Sequence, residues 1–147
     1  MPTPEQIALV RDSYKAVMAT RPELVEDFYT RLFVTQPSLK PMFPQDITGQ
    51  AMKTEATLQL AILSLSAPDA LIGPLRDLGR YHAGVGVRDG MYHTMCEVLM
   101  DTLAAQAGPI WTPEVSQAWG KVLAFVTNTM IEGAHGDHSD EAAPLIA

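Results

Sequence analysis

Cysteine is all but missing from this chain: Cys96 stands alone among 147 residues. With no second thiol, an internal disulfide, a thiolate metal cluster and dithiol redox chemistry are excluded, and Cys96 reads as a buried thiol on a helix. Positive charge is scarce too, with 10 Lys and Arg against 17 Asp and Glu for a formal charge of −7. That balance leaves no electrostatic footprint for nucleic acid or an anionic membrane, and it disfavours acidic substrates. No apolar run approaches membrane-spanning length. Glu5, Arg11 and Asp12 interrupt the N-terminal stretch where a signal peptide needs an unbroken apolar core, so the expected location is the cytoplasm. Alternating strand patterns are lacking, as is a glycine-rich loop behind a strand, which leaves flavin and NAD without a site.

What is present is a succession of helical stripes, and the expected fold class is all-α, in one domain. Thr3-Pro4-Glu5-Gln6 is a capping-box start with proline at the first helical position; Ile7, Val10, Tyr14 and Val17 follow on one face, to about residue 19. Pro22 is expected to open a second helix, with Leu24, Val25, Phe28, Tyr29, Leu32 and Phe33 in two adjacent apolar columns. Pro37, Pro41 and Pro44 limit the next stretch to a single helical turn at most. A helix over roughly 47–65 turns Leu58, Ala61, Ile62 and Leu65 inward, and the same face extended backward reaches Thr54 and Gln50. After the Gly73-Pro74 pair a short helix is expected, ended by Gly84 and Gly86. Asp89 caps another helix through about 106, carrying Tyr92, Met95, Cys96, Leu99 and Leu103. Thr112-Pro113-Glu114 caps the last, with Val115, Trp119, Val122, Val126 and Met130 inside. The domain is expected to occupy 1–134, and HGDHSDEAAPLIA, 135–147, to be a loose tail.

One residue breaks these patterns. Leu71, Leu75 and Leu78 form a core-facing stripe, and its next step lands on His82. A histidine on an apolar face ordinarily bonds a carbonyl and packs. Its alternative use is to present one ring nitrogen to a metal while the other donates to a carbonyl, here that of Leu78 one turn earlier. No Cys, Asp or second His accompanies His82 at ligand spacing, which argues against an isolated zinc or non-haem iron site. A lone protein ligand suits haem, whose porphyrin supplies four nitrogens. Tyr29 and Gln50 place hydrogen-bonding groups on inner faces that packing alone would give to Leu or Phe, and Phe43 offers a flat ring to a planar cofactor. His135-Gly-Asp-His138 is read as two solvated tail histidines rather than a metal site, and the methionines as gap-filling core.

The stretches FYTRLFVTQPSLKPMFP (28–44), DITGQAMK (46–53), LGRYHAGVGV (78–87) and AWGKV (118–122) resemble the bacterial single-domain globins, the globin domains of flavohaemoglobins and the neuroglobin-like bacterial globins. The likeness runs from about residue 4 to 133. It implies a globin fold, a three-over-three helical sandwich around haem b, with His82 as proximal iron ligand and Phe43 against the ring. Leu78, Thr54 and Val87 would touch the porphyrin, and Lys53 would reach a propionate. Tyr29 and Gln50 would line the distal pocket and hydrogen-bond a diatomic ligand: O2, CO or NO.

Two departures stand out against that pattern. Thr54 replaces the leucine that relatives place over the iron. Its hydroxyl is expected either to bond its own helix backbone or to hold a water beside the ligand. Tyr92 matches the tyrosine that buttresses the proximal histidine in flavohaemoglobins, but their companion glutamate aligns with Ala134, and Glu132, two residues away, is expected to point elsewhere. The expected function is reversible O2 binding at ferrous iron. The alternatives are NO dioxygenation served by a separate reductase, a haem-based gas sensor, and a haem-free structural role.

Overall fold

A computed structural model of the chain describes residues 1–136. Six α-helices and three short 3-10 turns account for the described residues, with no strand among them. Helix α1 (Pro4–Thr20) starts from the expected capping box: the Thr3 hydroxyl accepts from the Gln6 N–H, and the Gln6 side chain accepts from the Thr3 N–H. Ile7, Val10, Tyr14 and Val17 are its buried face.

Helix α2 begins at Leu24 rather than at Pro22 and runs to Thr35. Pro22 and Glu23 form a turn instead, and Arg21, which ends α1, takes its hydrogen bond back to the Val17 carbonyl. The proline corner holds more helix than expected, a 3-10 segment over Pro37–Met42, because prolines at both ends of that stretch fit the tight turn.

Helix α3 (Thr48–Leu63) is held at its start by Asp46, whose carboxylate accepts from the Thr48 backbone N–H and hydroxyl at 3.0 and 2.8 Å. A 3-10 turn, Ser64–Ser66, then leads to α4 (Asp69–Gly84). This helix starts before the Gly73-Pro74 pair instead of after it. Pro74 is the sixth residue of the helix, past its first turn, so it forfeits one intrahelical hydrogen bond, while Leu71 and Leu75 on either side are both buried and hold that turn in the core. Gly86, at φ +102°, turns the chain sharply after α4. Helix α5 (Asp89–Ala107) takes Arg88 as its N-cap with Asp89 as its first residue, and a turn at Gly108–Ile110 follows. Thr112 caps α6 (Pro113–His135) as expected, accepting from the Val115 N–H. The helix passes residue 134 by one residue. His138 and the rest of the supposed tail from 137 onward lie outside the described residues.

The helices form two layers of three, α1, α3 and α4 over α2, α5 and α6. The closest crossing is between α4 and α6, where Gly79 and Gly133 are the contact points. A methyl group at 79 would overlap the Met130 carbonyl, and one at 133 would overlap that of Arg76. Only glycine allows this approach. Behind it, Trp119 of α6 is fully buried and donates from Nε1 to the Ser13 hydroxyl of α1 at 2.9 Å. Helix α4 thus packs on α6 and α3 on α2, and the space between α3 and α4 is left as a cavity.

Candidate functional site

The Leu71, Leu75, Leu78 stripe of α4 is buried, and His82, one turn farther on, is half-buried where that face meets the cavity. Its Nδ1 lies 2.7 Å from the Leu78 carbonyl oxygen. A carbonyl can only accept, so Nδ1 carries a proton and donates, and in the neutral ring the lone pair is then on Nε2. The Tyr81 ring stands edge-on to the imidazole, at 6.0 Å and 89°. Glu132, in contrast, pairs with Arg76 at 3.1 Å on the surface. As expected from the sequence, it points away from the histidine.

The cavity, about 380 Å³, is predominantly apolar. That volume falls within the range of small-molecule and cofactor pockets, roughly 300–1,000 Å³. Tyr29 from α2, Phe43 from the corner, Gln50, Lys53 and Thr54 from α3, Leu78 and His82 from α4, and Val87 after it all border the cavity. These side chains come from segments spread over 59 residues of sequence, as Tyr29 and Val87 mark the ends of the set. Gln50 and Thr54 stand one turn apart on α3 and are half-buried, while Lys53 is exposed at the mouth. The far wall is Trp119, Val122, Val126 and Met130 of α6, with Met91 and Met95 of α5 filling beside it. A wider depression of about 640 Å³, lined by Arg88, Asp89 and His135 among others, opens on the surface next to Val87 and Met91. His135 there meets Asp89 at 2.6 Å.

Tyr92 is the one sequence-derived candidate that does not border the cavity. It is 7% exposed, belongs to the same buried core cluster as Leu75, Leu78 and Trp119, and its hydroxyl has no hydrogen-bond partner among the described residues. Burial, with a smaller contribution from the Asp89 charge, pushes its pKa up to about 12. Thr54 carries a contact that was not expected: its hydroxyl is not turned back to its own helix but lies 2.7 Å from the Tyr29 hydroxyl. The hydroxyl itself was visible in the sequence, but the partner, 25 residues away on another helix, was not. Cys96 is half-buried and unpaired with another cysteine, and burial raises its pKa to about 11, so it is a poor nucleophile at neutral pH.

With this geometry in place, comparison with known proteins decides the family. Residues 26–130 match the Globin family model. The chain belongs to the globin family. It is 31% identical to leghemoglobin of Psophocarpus tetragonolobus over 127 residues, covering 80% of this chain and 87% of that protein. It is 30% identical to hemoglobin subunit alpha-D of Phalacrocorax carbo over 137 residues, 87% of this globin and 95% of that one. Among solved structures, the fold is shared with an engineered carbene transferase whose parent is a candidate nitric oxide dioxygenase of Rhodothermus marinus. The TM-score there is 0.79 at 24% identity, over 91% and 94% of the two chains. A hexacoordinated heme protein from an anhydrobiotic tardigrade gives 0.80 at 17% identity, over 91% and 96%.

The residues of this globin fit haem. An apolar slot between two helices suits a flat macrocycle, the single imidazole on one wall has a protonated Nδ1, and an exposed lysine stands at the mouth. No three His, Cys, Asp or Glu side chains converge among the described residues, so a metal entering here would need a cofactor to complete its coordination.

Proposed function

We propose that this globin holds haem b through His82 and binds O2 reversibly in the cavity between α3 and α4. One observation carries the reading: an imidazole with its Nδ1 hydrogen-bonded and two polar side chains, Tyr29 and Gln50, border the same apolar cavity from three different helices. When bound, haem supplies a ferrous iron with a coordination position for a diatomic ligand. Donation from Nδ1 to the Leu78 carbonyl fixes the tautomer and the ring plane of His82, which leaves Nε2 as the ligand atom. Phe43, Thr54, Leu78 and Val87 would hold the macrocycle, and Lys53 would offer its ammonium to a propionate.

Tyr29 and Gln50 supply hydrogen-bond donors in surroundings that exclude most water. Such donors favour O2, which draws negative charge onto itself, over CO, which does so less. NO fits the same space. Fast NO dioxygenation with a separate reductase gains less support. The sole proximal acceptor recorded for His82 is a neutral carbonyl, and Glu132 is engaged by Arg76.

Stopped-flow measurement of O2 release tests the proposal. Losing one hydrogen bond to a charge-bearing ligand weakens its retention by about 1.5–3 kcal/mol, or roughly ten- to a hundredfold in off-rate. Tyr29→Phe and Gln50→Leu should each release O2 faster, with smaller changes for CO. Both variants releasing O2 at the wild-type rate would refute it.

A further inference from the structure

The Tyr29 and Thr54 hydroxyls, 2.7 Å apart, join α2 to α3 in the cavity wall. Tyr29 is only 2% exposed, and the rings of Phe28, Phe33 and Phe43 surround it at 5.1, 5.9 and 5.4 Å between centroids. In those aromatic surroundings the Thr54 hydroxyl is the polar group that meets the phenol. Thr54 is unusual in its own right. Thr20, Thr30, Thr57, Thr102, Thr127 and Thr129 each turn the hydroxyl back to the carbonyl four residues earlier, the ordinary arrangement for a helical threonine. Thr54 engages a tyrosine on the neighbouring helix instead.

We infer that Thr54 is a positioning residue that sets the direction of the Tyr29 proton, so that the cavity discriminates between ligands by their charge. The inference rests on the haem-globin reading above. Either oxygen of the pair can be the donor. Phenol is the more acidic hydroxyl, so with no acceptor in the cavity Tyr29 donates to Thr54 Oγ1. A ligand that gathers negative charge draws the phenol proton toward itself, and Thr54 then donates its own hydrogen to the phenol oxygen. The pair stays bonded in both states and only the direction of donation reverses. In the reversed chain the phenol is polarised by Thr54 and donates more strongly. CO gathers too little charge to reverse the pair, and the phenol O–H goes on donating to Thr54 Oγ1.

Valine keeps the shape of Thr54 and deletes its hydroxyl, whereas serine keeps the hydroxyl. In Thr54→Val, O2 should leave about two- to fivefold faster, because the support for Tyr29 is gone. The infrared C–O stretch of CO held in the cavity should fall, because the released phenol proton now turns toward CO. Thr54→Ser should return both readouts toward wild type. In a Tyr29→Phe background, Thr54→Val should change neither, since Thr54 acts through the phenol. An unchanged C–O stretch and O2 release in Thr54→Val would overturn the inference while leaving the haem reading intact. So would effects that persist in the Tyr29→Phe background, which would mark a volume effect. A wild-type chain that takes up no haem would overturn both.

Discussion

At single positions, the polar atoms of the core divide into those with partners and those without. Trp119 Nε1 has Ser13, Tyr29 has Thr54 and His82 has the Leu78 carbonyl, whereas the hydroxyls of Tyr14 and Tyr92 are buried with no partner among the described residues. Burial raises both tyrosines to about 12, with Glu55 adding to the effect at Tyr14 and Asp89 at Tyr92. In the unfolded chain both would ionise near pH 10. Between those values the folded state binds more protons, so stability is unaffected by these two groups' ionisation below about pH 10 and falls as the pH climbs toward 12. Urea midpoints followed upward from neutral pH should drop in that window. The paired changes Tyr14→Phe and Tyr92→Phe should flatten the drop without weakening the protein at pH 7, since an unpartnered buried hydroxyl contributes nothing favourable. An undiminished alkaline drop in that variant would contradict this origin. Helical spacing put Tyr29, Gln50, Thr54, Leu78 and His82 on inner faces, the flat ring and the family resemblance added Phe43 from the proline corner, and all six border one cavity. Periodicity also put Tyr92 on the buried side of α5, but its role beside the histidine came from the resemblance alone, and the spacing of α5 could not tell whether that side meets the cavity or the packed core beside it.

Among the elements, α4 matters most, because it carries His82 and its position depends on a backbone-to-backbone approach to α6. Gly79 and Gly133 make that approach possible. Gly79→Ala should destabilise the fold by about 3 kcal/mol or more, since the clash is with main chain that has nowhere to move. Gly120→Ala on the same α6, where an added methyl meets open space, should stabilise by about 0.5–1 kcal/mol. Chemical denaturation of both variants separates the two glycines, and equal effects would remove the case for the crossing. Helix starts were readable at the caps Thr3 and Thr112, and one residue off at Asp89, where Arg88 takes the cap. They were misplaced at Pro22 and Gly73-Pro74, where the residue types permit either a turn or a first helical turn and packing decides. The two crossing glycines were unreadable because a glycine inside a helix looks the same in sequence whether it faces solvent or another backbone.

For the molecule as a whole, the globin architecture followed from the order and spacing of four short stretches, and the family match over residues 26–130 agrees with it. The six helices leave a cavity because α3 and α4 pack on opposite partners, a property of the assembly that no stretch of sequence announces. The central claim is that this cavity holds haem through His82, and an absorption titration with haem tests it most directly. Wild type and His82→Gly would be compared as ferric and dithionite-reduced proteins, before and after added imidazole. The account predicts one haem per wild-type chain with a histidine-ligated ferrous spectrum, loss of that spectrum in His82→Gly, and its return with imidazole. Uptake of haem by His82→Gly with the wild-type spectrum and no response to imidazole would contradict it.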